Sequence, residues 1–203
     1  MFAQMAGMQK SQYALILLFS HSVIENRFRF FLSILYAIAM SATVVTLEEL
    51  ARNLARPSAL VGLDLGTKTI GVAVSDVTWR FSTPLTVIKR VKFSVDAAAL
   101  LTLCAERQAG ALILGLPLNM DGSEGPRAQA TRAFQRSLSQ LTPLPITFQD
   151  ERLSTHEAER TLIERDMSRK KRAAVIDAHA AAVILQGALD RLAVLRQTGG
   201  NNS

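Results

Sequence analysis

The chain has 203 residues, which suits one ordinary domain with an appendage and leaves little room for a second full domain. Its formal net charge of +6 favours an anionic partner such as nucleic acid. The single cysteine, Cys104, excludes a disulfide framework and a cysteine-based zinc site, and indicates a buried thiol in a reducing compartment.

The first 39 residues differ in composition from the rest of the chain. They hold five of the nine phenylalanines, both tyrosines and one acidic residue, Glu25. The uncharged stretch 30–47 reaches the lower length limit of a membrane span, but serines, threonines and small residues dilute it. We interpret residues 1–39 as a hydrophobic extension outside the natural protein, which then starts at Met40, with a membrane anchor as the alternative. No membrane contact is expected for residues 40–203.

From Met40 onward the pattern predicts alternating strands and helices. Thr46-Leu47-Glu48-Glu49 has the form of a capping box, which predicts a short lead-in helix within residues 40–58 that stops at Arg56. The main domain is expected over 59–195, before a disordered tail at 196–203. Its predicted strands are 60–65, 70–75, 85–89, 111–116 and 146–149, and its predicted helices are 94–107 (capped by Ser94), 126–141, 154–165 and 173–195. This order predicts an α/β fold with a mixed sheet and helices on its faces.

Three acidic residues lie where a folded domain does not ordinarily place a charge. Asp64 is in an apolar predicted strand, and Gly62 and Gly66 share its face. Glu151 follows the fifth predicted strand, and Asp177 lies near the start of the last predicted helix among Val, Ile and Ala. If the fold gathers these carboxylates at the carboxyl ends of the strands, they form a site for a hard divalent cation, Mg²⁺ or Mn²⁺.

Such a site predicts hydrolysis of phosphodiester bonds. Two ions about 3.5 to 4 Å apart stabilise both the attacking and the leaving oxygen of an in-line displacement at phosphorus. Neither His156 nor His179 is needed, although either could assist proton transfer. We therefore expect catalytic and metal-binding roles for Asp64, Glu151 and Asp177.

Each acid also has a purely structural interpretation. Asp64 can cap the turn that follows its strand. Glu151 can pair with its neighbour Arg152, and Asp177 can be an acid that the helix dipole favours near a helix start. Asp150 is the nearest rival of Glu151 for the ligand role.

The expected substrate contacts are mostly cationic. The basic run 169–172 precedes Asp177 and would place positive charge beside the site, although a solvated loop is the more common outcome for such runs. Lys68 can hold a phosphate or simply lie in an exposed turn. Asn119 belongs to a loop over 115–122 that should lie at the same sheet edge. The substrate-binding candidates are Lys68, Asn119, Arg152, Arg169, Lys170, Lys171 and Arg172. Two helix arginines either touch the nucleic-acid backbone or are merely solvated, Arg127 and Arg132.

Four motifs follow one another in the order of a known family. They are GLDLGTKTIGVAVSD from Gly62, GLPLNMDG from Gly115, DERLST from Asp150 and IDAHAA from Ile176. With them the chain resembles the YqgF (RuvX) family of pre-16S ribosomal RNA nucleases, which are related to Holliday junction resolvases, over about residues 59–195.

The resemblance implies an RNase H-like fold in a cytoplasmic bacterial protein. It also implies cleavage at the 5′ end of precursor 16S rRNA during ribosome maturation, with ribosomal precursor particles as partners. By motif position it assigns the acidic triad to Asp64, Glu151 and Asp177. The extension 1–39 departs from the family. Branched DNA remains an alternative substrate, because RNA and DNA present the same phosphates to a metal site.

Two further functions compete with a nuclease. Asp64-Leu65-Gly66-Thr67 also looks like the first phosphate loop of the actin, Hsp70 and sugar-kinase superfamily, but the chain has room for only one such domain and shows no second phosphate loop. A non-catalytic nucleic-acid-binding module would explain the basic run, yet all three acids are present.

Overall fold

A computed structural model of the chain describes residues 43–54, 57–153 and 169–199. All of these residues belong to one compact unit over residues 41–203. The predictions for the extension 1–39, for the helix 154–165 and for the end of the tail lie outside the described residues.

Five strands form one mixed sheet in the order β3-β2-β1-β4-β5. Strand β2 is antiparallel to both β1 and β3, β4 is parallel to β1, and β5 is parallel to β4. This is the sheet of an RNase H-like fold, so the predicted hairpin and the predicted mixed sheet are confirmed. The strands are β1 Ala59–Leu65, β2 Thr69–Ser75, β3 Ser82–Lys89, β4 Ala109–Leu116 and β5 Ile146–Asp150.

Strand β3 is three residues longer at its start than the sequence predicts. It begins at Ser82 rather than Leu85 and includes Pro84. Pro84 is tolerated because β3 is an edge strand, and the register shifts between Val72 and Ala73 of β2 where Pro84 pairs.

Helix α1, Leu47–Asn53, begins at the predicted capping box. The Thr46 hydroxyl accepts a hydrogen bond from the Glu49 N–H (3.1 Å), and the Glu49 carboxylate accepts one from the Thr46 N–H (2.8 Å). The helix ends before the predicted Arg56 because Leu54 is already extended.

Helices α2, Phe93–Glu106, and α3, Pro126–Leu138, cover one face of the sheet. The prediction that Ser94 caps α2 is wrong, because Lys92 is the N-cap residue and makes no side-chain cap. Helix α3 stops at Leu138 instead of Leu141, since a turn at Ser139 follows.

Helix α4, Arg169–Gly199, covers the opposite face together with α1. It begins four residues before the predicted start, so Asp177 lies in its third turn. It ends four residues after the predicted end, so residues 196–199 are helical, and the prediction of a disordered tail is wrong for them. By length and composition the segment Ile176–Thr198 could cross a membrane, but half of it is buried in this fold. Its buried side chains pack on the sheet, among them Ile184, Leu185, Leu189 and Leu192.

The alternation of β1 and β2 separates two apolar cores. Side chains from one face meet α2 and α3, and they include Val61, Leu63, Leu65, Ile70, Val72, Leu112 and Leu114, with the buried thiol of Cys104. Side chains from the other face meet α1 and α4, and they include Leu60, Ala73, Ala111 and Ile113. A polar side chain on the face that contains Leu60, Ala73, Ala111 and Ile113 therefore lies under α4.

Candidate active site

Asp64 is the polar residue on the α4 face of β1. Its neighbours Leu63 and Leu65 point into the core under α2 and α3, so the pleat turns Asp64 to the other side. Asp64 is partly buried and pairs in register with Gly71 of β2. Because Gly71 has no side chain, the α4 backbone can approach Asp64 across it.

Asp177 reaches the same place from α4. A Cβ on Gly71 would lie 2.0 Å from the backbone oxygen of Asp177, so α4 rests directly on β2 at this point. The Thr69 hydroxyl donates a hydrogen bond to Asp177 Oδ2 over 2.7 Å, which fixes the carboxylate of Asp177 at the start of β2. Asp64 on β1 and Asp177 on α4 therefore lie on the same face of the sheet, on either side of Gly71.

Glu151 reaches the site from the β5 edge of the sheet. It opens a 3₁₀ turn, Glu151–Leu153, directly after β5. Its side chain folds back over β4, since a Cβ on Gly115 would lie 2.4 Å from Glu151 Oε1. The last β1–β4 register pair is Leu63 with Leu114, so Gly115 lies next to Asp64. The Glu151 carboxyl, which lies over Gly115, is therefore close to Asp64.

The electrostatics of Glu151 record this proximity. The pKa of Glu151 is raised to about 7, first by burial of the carboxyl and then by the negative charge of Asp64. Asp150 adds to the rise, whereas the guanidinium of Arg127 opposes it. Near neutral pH Glu151 therefore carries a proton in about half of the molecules, because burial and the charge of Asp64 both disfavour its ionised form.

The donor chemistry of the site fits a hard divalent cation. Carboxylate oxygens are the ligands that Mg²⁺ and Mn²⁺ prefer, and a cation would favour the ionised form of Glu151 that burial and the charge of Asp64 disfavour. In the described part of the chain, however, no three His, Cys, Asp or Glu side chains stand close enough to hold an ion as they are placed. Of the two Asp177 carboxylate oxygens, Oδ2 accepts the hydrogen bond from Thr69.

Arg152 pairs with Asp150. Its guanidinium meets both carboxylate oxygens, with Nε 3.1 Å from Oδ1 and Nη2 2.6 Å from Oδ2. These hydrogen bonds hold the pKa of Asp150 below its ordinary value. Because the oxygens of Asp150 are engaged in this pair, the geometry favours Glu151 over Asp150 as the ligand.

The loop after β4 lies at the same end of the sheet, as the sequence predicts. Gly122 has a φ of +85°, and its N–H donates to the carbonyl of Asn119 over 2.8 Å. The Asn119 side chain donates to Ser123 Oγ over 2.8 Å, so Asn119 braces the loop from within. Arg152 touches this loop through the carbonyl of Met120.

The remaining candidates are placed differently. Lys68 is exposed in the β1–β2 turn, and His179 is exposed on α4. Arg132 is engaged by Glu124 in an ion pair and stacks over Phe148. The backbone of Arg169, Lys170, Lys171 and Arg172 forms the first turn of α4, while their side chains and all of His156 lie outside the described part of the chain.

Sequence reasoning missed two contributors to the site. Thr69 holds Asp177 from 108 residues away, and no local pattern signals that hydrogen bond. Gly115 makes room for Glu151. A glycine inside an apolar strand is a recognised sign of close approach by another group, so Gly115 was detectable in principle.

An RNase H-like sheet with carboxylates from β1, the end of β5 and the covering helix defines the class of this protein. The RuvX family, described as Holliday junction resolvase, matches residues 58–191, and the chain belongs to this family.

Relatives match over nearly their whole length. A protein of Paracoccus denitrificans named "Putative pre-16S rRNA nuclease" is 64% identical over 151 residues, which is 74% of this chain and 96% of that protein. A protein of Rhodobacter capsulatus with the same name is 62% identical over 154 residues, or 76% and 97% of the two chains. Among solved structures, T. thermophilus RuvC in complex with Holliday junction substrate aligns with a TM-score of 0.43 and 13% identity, over 66% of this chain and 94% of that chain.

Proposed function

We propose that this protein is a divalent-metal-dependent nuclease that cleaves precursor 16S rRNA at its 5′ end. The observation that carries the proposal is the approach of Glu151, in the turn after β5, to Asp64 on β1: the Glu151 carboxyl lies over Gly115, and burial together with the charge of Asp64 raises its pKa to about 7. Asp177 completes the set on the same face. Carboxylates gathered in this way are expensive to bury unless a cation or a reaction needs them.

Asp64, Glu151 and Asp177 would hold Mg²⁺ or Mn²⁺, which supplies positive charge to the attacking and leaving oxygens of a displacement at phosphorus. The reaction adds water across one P–O bond: the water oxygen bonds to phosphorus, and the leaving oxygen receives a proton. Glu151 has to release its proton before it can bind the cation, so its raised pKa makes cation binding depend on pH near neutrality. The hydrogen bond from Thr69 holds Asp177 on the same face as Asp64.

The names of the relatives support precursor 16S rRNA as the substrate, because they share more than 60% identity with this chain over nearly their full length. Ribosomal precursor particles in the cytoplasm follow as the proposed partners and location. The family description supports a second candidate, the cleavage of branched DNA. Both substrates would bring their phosphates to the same carboxylates.

The test compares the wild type with Asp64→Asn on an RNA that carries the 5′ end of precursor 16S rRNA and on a four-way DNA junction. Asp64→Asn should lower the cleavage rate by more than about 100-fold, because loss of a residue that only supports a metal ligand already lowers activity by roughly 10- to 100-fold. Activity should require Mg²⁺ or Mn²⁺ and stop with a chelator. The matched control is Asp190→Asn, an exposed position later on α4, which should keep full activity.

Three outcomes would contradict the proposal. Equal cleavage by Asp64→Asn and the wild type would point to a contaminating nuclease. Binding of either nucleic acid without cleavage would support a non-catalytic module, and hydrolysis of ATP without cleavage would support the phosphate-loop alternative.

A further inference from the structure

Four cations lie at the β3 side of the site, outside the residues that the proposed reaction uses. They are Lys68 in the β1–β2 turn, Lys89 at the end of β3, and Arg90 and Lys92 just after it. We refer to these four residues as the basic strip. Since β3 is antiparallel to β2 and β2 to β1, the end of β3 lies at the same end of the sheet as Asp64.

The basic strip is tied firmly to the strand that carries Asp64. The Arg90 N–H donates to the carbonyl of Lys68 over 2.9 Å, and Arg90 Nη1 donates to the carbonyl of Gly66 over 2.7 Å. Gly66 in turn donates its N–H to the Thr69 carbonyl over 2.9 Å. The Arg90 guanidinium and the backbone at Lys68 are therefore held in place relative to Asp64, which lies two residues before Gly66.

Lys89 also shares a face with the acids. It pairs in register with Thr69, and partners in an antiparallel pair point to the same face with their Cβ atoms about 4.5 to 5.5 Å apart. The Thr69 hydroxyl holds Asp177. Lys89 therefore leaves the sheet beside Asp177, where it can meet an anion that lies over the site.

The charge of the basic strip is not balanced by its own segments. Residues 65–75 and 82–95 contain no Asp or Glu. The next acid, Asp96, is buried and accepts a hydrogen bond from the Val91 N–H. The ion pairs found among the described residues all lie elsewhere, at Glu124, Asp150 and Glu48. A strip of this kind favours a polyanion over an isolated acidic group.

We propose that the basic strip binds backbone phosphates of the substrate on the β3 side of the cleavage position. The inference rests on the proposed nuclease function and adds where the nucleic acid lies. The end of β3 is two strand spacings, about 10 Å, from β1. At a rise of about 3.4 Å per nucleotide, the strip contacts phosphates about three nucleotides from the scissile bond.

The test measures, by fluorescence anisotropy between about 50 and 200 mM salt, the binding of the RNA that carries the 5′ end of precursor 16S rRNA. Every protein carries Asp64→Asn so that no cleavage occurs during the measurement. Lys89→Gln with Lys92→Gln should weaken binding several-fold and reduce the slope of log K against log salt by about 1.5, because two phosphate contacts are lost. Arg90 is left unchanged because it also supports the β1–β2 turn.

Two controls separate charge from structure. Arg52→Gln with Arg107→Gln removes the same charge from exposed positions at the other end of the sheet and should keep the parent slope. Lys89→Arg with Lys92→Arg keeps the positive charge and should give the same slope as the parent protein. If the glutamine pair at Lys89 and Lys92 gives the same slope as the Arg52 and Arg107 control, the inference is overturned.

A second measurement tests the position of the strip. The RNA is shortened from each side of the cleavage position in turn, to fewer than about three nucleotides. On one side, shortening should abolish the difference between the Lys89 and Lys92 variant and its parent. A difference that survives shortening on both sides would overturn the placement. A wild type that binds with the expected slope but cleaves nothing would count against the nuclease function and leave the strip supported.

Discussion

Glu151 shows how burial and a neighbouring charge act together on one side chain. Its pKa is raised from 4.5 to about 7, so the folded protein binds this proton more tightly than the unfolded chain does. Stability is therefore unaffected by Glu151 below about pH 4.5, falls as the pH rises toward 7, and stays reduced above it. The penalty is at most about 3 kcal/mol, since each pKa unit corresponds to about 1.4 kcal/mol and the carboxyl is only partly buried.

We predict that Glu151→Gln is more stable than the wild type at about pH 8, and that the difference shrinks at about pH 5, where both side chains are neutral. The measurement is urea unfolding without divalent cations at both pH values. Glu106→Gln, the same change at an exposed position of α2, should leave the stability unchanged at both. A gain for Glu151→Gln that is equal at the two pH values would show that the gain does not come from this titration.

At the scale of elements, the site depends on how closely α4 rests on the sheet. Gly71 is the contact point on β2, where an added Cβ would meet the Asp177 backbone oxygen at 2.0 Å. Backbone cannot rotate away as a side chain can, so the helix itself has to shift.

We predict that Gly71→Ala lowers the stability by about 1 to 3 kcal/mol through this overpacking, and that it also lowers nuclease activity by moving Asp177. Gly187→Ala is the matched control, because its Cβ would stand 3.5 Å from Gln149 Nε2 in ordinary contact. Inside a helix, alanine is favoured over glycine by about 0.5 to 1 kcal/mol, so Gly187→Ala should be neutral or stabilising. Thermal melting of both variants checks this, and an undisturbed melt for Gly71→Ala would contradict the close packing of α4.

Elements with strong local signals were predictable from the sequence. The alternation around Asp64 identified both the strand and the face that the acid occupies, because the pleat has a fixed period of two. The capping box at Thr46 located the start of α1 for a similar reason, since its two hydrogen bonds are local.

Features that depend on distant contacts were not predictable. Strand β3 extends through Pro84 because its outer edge has no neighbouring strand, which the local pattern does not reveal. Arg152 has two acidic neighbours in the sequence, Asp150 and Glu151. In the turn after β5 it pairs with Asp150, which the sequence alone does not reveal. The roles proposed for Asp64, Glu151 and Asp177 stay predictions, although the fold brings all three to one face.

At the scale of the whole molecule, an overall net charge of +6 is combined with three carboxylates that lie beside the basic strip at one end of the sheet. The positive surroundings favour approach of a nucleic acid, while the carboxylates repel its phosphates until a cation is bound. Cation binding should therefore be coupled both to substrate binding and to the stability of the fold.

We predict that Mg²⁺ or Mn²⁺ raises the melting temperature of the wild type. A ligand at 100 times its Kd adds about 2.7 kcal/mol, which for a chain of this size corresponds to about 5 to 10 °C. The rise should be larger at about pH 8 than at about pH 6, because Glu151, whose pKa is about 7, has to release its proton before it can bind a cation. Differential scanning calorimetry with and without the cation measures both effects.

The same titration on two variants decides whether the rise comes from the proposed site. Asp64→Asn removes one of the proposed ligands, so the rise in melting temperature should nearly disappear at both pH values. Asp190→Asn removes an exposed carboxylate elsewhere on α4 and should keep the full rise. If Asp64→Asn were stabilised by the cation as much as the wild type, the ion would bind elsewhere, and the acids on the α4 face would not be the metal site of this nuclease.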